Sequence, residues 1–201
     1  MKKVISLLLC ALLLSLGVAA FADAEAYPVA TIEMANGDVM KLELYPDQAP
    51  NTVANFISLA NRGFYNNQQF YRVVAGVFIE GGDPENKGTG GPGYTIKGEF
   101  SENGFNNNVS HRRGAISMAR QSGYDTAGSQ FFIMHYSYPE YDGKYAAFGT
   151  IQDADSLAVL DSLATAPVDG SHRPLTTQVI SSIRVETYEV EYEPITTKRP
   201  E

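Results

Sequence analysis

Cysteine is almost missing: the 201 residues hold one, Cys10. A disulfide framework within the chain is excluded, so a folded domain must be held by packing alone. Basic residues are also scarce, with Lys and Arg totalling 15 against 23 Asp and Glu, for a formal charge of −8. A surface of that sign repels phosphate backbones, and nucleic acid is not an expected partner. The three histidines, His111, His135 and His172, stand apart with no ligand spacing between them. No metal is expected, and satisfied or solvent-facing imidazoles are the default. Ser117, Ser129 and the histidines form no G-x-S-x-G elbow, which argues against a hydrolase. GTGGPG at 88–93 lacks the Lys-Ser/Thr ending and the following helix of a phosphate cradle and reads as a flexible turn. No cofactor is expected.

Long apolar runs are limited to one. Val4 to Ala20 follows Lys2 and Lys3 and gives way to small residues. This is the n-region, h-region and A-x-A pattern of a secretory signal peptide over residues 1–22. Ala20-Phe21-Ala22 is the preferred cleavage site, with Ala24-Glu25-Ala26 second. The run is short for a spanning helix and no stop-transfer flank follows, so no membrane partner is expected once the leader is gone. Cys10 follows a leucine within the run, which argues against a lipid anchor. Cleavage after Ala22 also removes Lys2 and Lys3, taking the formal charge from −8 to −10. The expected location is exported: periplasmic, cell-wall-associated or extracellular.

Residues 23–28 read as a linker. Val29 to Met34 alternates, with Ala30, Ile32 and Met34 on one face. Asn36-Gly37 is a hairpin signal, because both residues tolerate positive φ, and Met40, Leu42 and Leu44 resume the alternation. Pro50 to Arg62 reads as a helix with Val53, Phe56, Ile57 and Ala60 on one stripe, stopped by Gly63. Short apolar runs follow at 70–74, 77–80, 115–118, 131–134 and 146–151. Asp155 to Ala164 gives a second helix, and Val179, Ile183 and Val185 a final strand. Many short strands with two helices suggest a mainly β fold, a closed antiparallel barrel with helices plugging its ends. One domain over 29–187 is expected, with 188–201 a flexible, charged C-terminal tail. A single barrel of this size suffices alone, so a monomer is expected.

Two segments carry chemistry: FYRVVAGVFIEGGD at 70–83 and GSQFFIM at 128–134. The first sets an arginine among apolar neighbours, and the second carries a glutamine beside paired phenylalanines. A fixed cationic donor beside an apolar floor suits a site that grips a proline ring. An X-Pro bond rotates over a barrier of about 18–20 kcal/mol because rotation breaks amide resonance. Catalysis needs no covalent step, only tighter binding of the twisted amide than of the planar forms. The twisted nitrogen regains a lone pair, which an arginine donor can stabilise. Alternation within GSQFFI puts Gln130 and Phe132 on one face and Phe131 on the other.

From Val29 to about Thr187 the chain resembles the cyclophilins. The resemblance rests on APNTVANFISL, FYRVV, EGGDP, GTGGPGY, GAISMAR, AGSQFFI and DGKYAAFG, in that order. It implies an eight-stranded barrel with two capping helices and peptidyl-prolyl cis-trans isomerase activity on proline-containing polypeptides. Carried over by position, it implies Arg72 as the catalytic arginine, with Gln130 and Phe132 beside it. Ala119 and Arg120 fall where the family lines the substrate's backbone, and Phe78 at a pocket position often held by methionine. Some positions depart from the pattern. Val77 stands where a pocket phenylalanine is usual, a volume the neighbouring Phe78 is placed to refill. Glu80 replaces a glutamine that braces the arginine. Tyr141 and Tyr145 occupy positions often held by leucine and histidine. Glu140 stands where some members carry tryptophan, a residue this chain lacks entirely, which implies weak cyclosporin inhibition. The competing reading is a proline-peptide binding module or holdase with little isomerase activity, suggested by the altered rim of Val77, Glu80, Tyr141 and Tyr145.

Overall fold

The computed structural model describes residues 26–198; the expected signal peptide, its preferred cleavage site and residues 23–25 of the linker lie outside them, and the second cleavage motif reaches them only at Ala26. The elements in chain order are β1 (Val29–Met34), β2 (Val39–Leu44), α1 (Pro50–Asn61), β3 (Arg72–Val74), β4 (Phe78–Gly81), β5 (Tyr94–Thr95), β6 (Ala115–Met118), β7 (Phe131–Met134), β8 (Ala147–Ile151), α2 (Ala154–Ala164), β9 (Ile180–Glu186) and β10 (Thr197–Lys198). Eight of the strands form one antiparallel sheet in the order β3-β4-β7-β6-β8-β2-β1-β9.

The sheet is not closed, which corrects the barrel expected from the sequence. It is an open half-barrel whose edges, β3 and β9, share no ladder. They approach at an isolated bridge, Gln69 to Val179, beyond the end of each strand. The segment after α2 lies between them: the Val73 N–H donates to the His172 carbonyl at 2.8 Å. With that loop bonded to β3, β9 has no free edge there to join.

One face of the sheet holds the main core. Ile32, Met40, Leu42, Ile79, Ile116, Ile133 and Phe148 are fully buried on it. Phe56 of α1 plugs this interior against Tyr65, Phe131 and Phe148, with ring centroids 5.2–5.5 Å apart. Offset and edge contacts of this kind add to simple area burial.

The helices are capped by different means. Asp153 caps α2 through its own carboxylate, which accepts from the Ser156 N–H at 2.7 Å. Ala49 can offer α1 no side-chain cap. The buried Glu99 does so from a distant loop, accepting from Asn51 N (3.0 Å), Thr52 N (2.7 Å) and Thr52 Oγ1 (2.7 Å). Helix N-termini leave free N–H groups and favour negative charge, and this carboxylate meets both needs.

Residues 188–198, within the expected tail, carry β10, which pairs with β5. Asn51 also bonds the backbone of Ile195 in both directions.

Candidate active site

Strand register builds the site. Arg72 lies opposite Glu80, Glu80 opposite Phe132, and Phe132 opposite Ser117. The four form a row across β3, β4, β7 and β6, with all side chains on one face because cross-strand partners share a face. A second row, Val74, Phe78 and Met134, runs beside it. Phe78, Ala115, Phe132 and Met134 make a small apolar cluster separate from the main core.

The Arg72 Nη1 donates to Glu80 Oε2 at 2.9 Å. The carboxylate side chain is 10 % exposed and the arginine 43 %. The guanidinium also lies over the Phe78 ring, 5.1 Å from its centroid. The cation is thus held on two sides while its remaining donors face outward.

Beside it is a hollow of about 220 Å³ lined by Arg72, Phe78, Glu80, Ala119, Arg120, Phe132, Tyr141 and Tyr145. Its walls are aromatic: Phe132 lies 5.4 Å from Phe78, 5.8 Å from Tyr141 and 5.5 Å from Tyr145. A second hollow of about 230 Å³ shares Arg72, Glu80, Ala119 and Arg120 with the first and extends to Gln130 and Gly90.

A hollow with aromatic walls sized for a small ring, a pinned cation at its edge and a polar extension for backbone suit the grip of an X-Pro unit. The comparisons agree. The sequence profile described as "Cyclophilin type peptidyl-prolyl cis-trans isomerase/CLD" matches residues 29–185. The chain belongs to the cyclophilin-type peptidyl-prolyl cis-trans isomerases. It is 46% identical to a peptidyl-prolyl cis-trans isomerase of Helicobacter pylori over 134 residues, 67% of this chain and 78% of that one. It is 49% identical to peptidyl-prolyl cis-trans isomerase B of Bacillus subtilis over 116 residues, 58% of this chain and 78% of that one. A crystal structure of a cyclophilin-type isomerase from Cryptosporidium parvum superposes with a TM-score of 0.69 at 32% identity, covering 80% of this chain and 98% of that one. The same protein was also crystallised in the presence of the dipeptide Ala-Pro.

In this isomerase the residues singled out from the sequence divide by position. Arg72, Phe78, Glu80, Phe132, Tyr141, Tyr145 and Ala119 converge on the aromatic hollow. Gln130 lines the neighbouring one. Its Oε1 accepts from the Tyr71 hydroxyl at 2.8 Å and its Nε2 donates to the Gly90 carbonyl at 2.8 Å. Phe131 turns the other way, against Phe56, Tyr65 and Phe70 in the main core.

Val77 stands outside both hollows. It ends the turn between β3 and β4, its N–H bonding Val74 and its carbonyl accepting from His135. Its side chain only backs the aromatic cluster, so the geometry does not support it as a substrate contact. Arg120 reaches the rim of both hollows, but its donors go to the carbonyls of Lys144 (3.0 Å), Gln121 (2.9 Å) and Ser122 (3.5 Å). Its guanidinium sits 4.9–5.2 Å from the rings of Tyr145, Phe100 and Tyr124. It pins loops together beside the site.

Two supports were not singled out from the sequence. Tyr71 fixes Gln130, and burial, reinforced by the Glu80 carboxylate, pushes its hydroxyl well above the usual tyrosine range. It remains a donor at any working pH. Asp83, fully buried, holds the glycine-rich segment: its carboxylate accepts from the N–H groups of Glu85, Lys87, Gly88 and Thr89. Burial pushes this carboxyl up, but the backbone donors outweigh it and hold it below its usual range. At Gly90 a Cβ would collide with the Asp83 carboxylate, so glycine is required where this loop closes. Tyr71 was not legible locally, because Gln130 lies 59 residues further along the chain. The partners of Asp83 are only two to six residues away, but backbone N–H groups carry no side-chain signature to mark them.

Proposed function

We propose that this isomerase turns over X-Pro bonds in exported polypeptides, and that Arg72 is its catalytic residue. The proline ring sits in the hollow walled by Phe78, Phe132, Tyr141 and Tyr145. The preceding residue's backbone runs past Ala119 toward Gln130. As the amide twists, its nitrogen gains a lone pair, and a free N–H of Arg72 donates to it. Only the twisted form offers that acceptor, so the bond lowers the barrier rather than merely tightening substrate binding. No proton or covalent bond is exchanged.

The observation that carries this reading is the pinned guanidinium at the lip of an aromatic hollow, bonded to Glu80 and stacked on Phe78. Export is supported by the leader composition of residues 1–22. Arg72→Ala should lower kcat/KM on an Ala-Pro peptide by at least about tenfold, equal to about 1.4 kcal/mol of transition-state stabilisation. Exchange NMR reads this directly, and saturable binding without exchange would favour a holdase instead. The amino-terminal sequence of the protein recovered outside the cytoplasm should begin at Asp23. Recovery only inside the cell with Met1 in place would refute export.

A further inference from the structure

His111 lies beneath the aromatic hollow and is 1 % exposed. Its imidazole stacks on Phe132 with centroids 5.9 Å apart at 18°. The rings of Tyr141 and Tyr145 stand edge-on to it at 5.9 Å and 6.3 Å. One imidazole therefore touches three of the four aromatic walls of the hollow.

Its own position is fixed by bonds at both ring nitrogens. Nδ1 lies 2.9 Å from Asp142 Oδ1, and Nε2 lies 2.9 Å from Ser117 Oγ. The same Asp142 oxygen accepts the His111 backbone N–H at 2.7 Å. An ionised carboxylate only accepts, so Nδ1 carries the hydrogen and Nε2 accepts from the Ser117 hydroxyl. The order Asp-His-Ser resembles a nucleophilic triad. Ser117, however, is fully buried at the floor of the cluster and out of a substrate's reach.

We infer that His111 is a positioning residue for isomerisation: its neutral imidazole holds Phe132, Tyr141 and Tyr145 in place around the substrate proline, and protonation at Nε2 loosens them. A proton on Nε2 turns the Ser117 oxygen from donor to acceptor. The serine hydrogen then loses the imidazole acceptor it has at present, in a fully buried position. The inference rests on the proposed reading that this hollow holds the proline.

The titratable groups facing the imidazole are Asp142, Tyr141 and Tyr145, all from one segment; β6 and β7 present Ser117 and Phe132, which do not titrate. Arg113 is committed to Asp161, and Arg112 lines a separate hollow with Tyr45 and Asp47. Burial lowers the imidazole below its usual value against the pull of Asp142. The charged form therefore gathers only below about pH 6.5.

The test is exchange NMR of an Ala-Pro peptide from about pH 8 to about pH 4.5, with the His111 imidazole resonances followed in the same samples. kcat/KM of the wild type should fall at least about threefold in a one-proton step whose midpoint matches the imidazole titration. His111→Asn should be slower at pH 8 and show no such step. Glu80 lies across the hollow, and any step arising from its carboxylate would survive in that variant. Should His111→Asn fail to fold, Asp142→Asn keeps the imidazole and an acceptor but removes the charge, and should move the step to lower pH. A flat wild-type profile, a step that persists in His111→Asn, or a midpoint unmoved in Asp142→Asn overturns the inference. Catalysis that survives Arg72→Ala would sink the Arg72 mechanism instead, and would leave this wild-type comparison to stand or fall separately.

Discussion

Glu80 decides whether the pinned arginine is braced or restrained, and two substitutions separate these cases. Only Nη1 of Arg72 bonds the carboxylate, at 2.9 Å, and the arginine is 43 % exposed. Its remaining N–H groups therefore stay available to a substrate without breaking the pair. Glu80→Gln keeps an oxygen in place but exchanges a charge-assisted bond for a neutral one. That costs about 1 kcal/mol of restraint at most, and less where solvent screens the pair. If the pair is a brace, kcat/KM should stay within about threefold of the wild type. Glu80→Ala removes the acceptor entirely and frees a side chain carrying about 2 kcal/mol of rotamer entropy, so a loss of about tenfold is expected. Exchange NMR on one Ala-Pro peptide measures both variants, and unchanged binding of the peptide's planar forms separates an effect on the barrier from one on affinity. A several-fold gain in Glu80→Gln would show that the guanidinium must leave the carboxylate to act. Full activity in Glu80→Ala would show that the brace is irrelevant.

Glu99→Gln sets an amide N–H against the donors that begin α1, and should destabilise the fold by about 1–3 kcal/mol, seen as a lower urea midpoint with unchanged slope; an unchanged midpoint would deny Glu99 its capping role. Asp83 has a carboxyl lowered in the folded state, so its contribution is complete above the unfolded value of about 3.9 and is lost as pH falls through the folded one. The urea midpoint of the wild type should drop below about pH 4, and Asp83→Asn should be weaker at neutral pH with a shallower acid decline; parallel acid profiles would refute this. Cyclosporin should inhibit only weakly, because Glu140 stands where some relatives carry tryptophan; a submicromolar constant would contradict it.

Local pattern was enough for much of the fold. Alternation in Val29–Met34 and Met40–Leu44 with Asn36-Gly37 between them gave the first hairpin, and Gly37 does adopt a positive φ of 90°. The same period of two separated Phe131 from Phe132, the step that divides the main core from the site. What escaped depends on residues brought together from far apart. The open seam follows from a bond between Val73 and His172, and the strand pair β5–β10 is only two residues long. Glu99 caps a helix 47 residues earlier in the chain. His111 looks isolated in sequence because Ser117 and Asp142 carry no spacing that marks them as its partners. Arg120, placed by analogy along the substrate backbone, is drawn aside by three rings, of which only Tyr124 lies near it in the chain; Phe100 and Tyr145 are 20 or more residues away.

The site's precision is a property of the ladder rather than of its loops. Arg72 and Phe132 sit on strands two apart, so their backbones are separated by about 9–10 Å. Glu80 occupies the strand between them. The arginine leans across that gap onto Phe78, and the remaining space is the hollow proposed for the proline ring. A slip of β4 by one residue would set Ile79 between Arg72 and Phe132 and drive Glu80 into the main core, where no partner waits. Burial of Ile79 on one face and the bond from Glu80 to Arg72 on the other both oppose that slip. The pairing that orients the arginine thus also fixes the register on which the site is built.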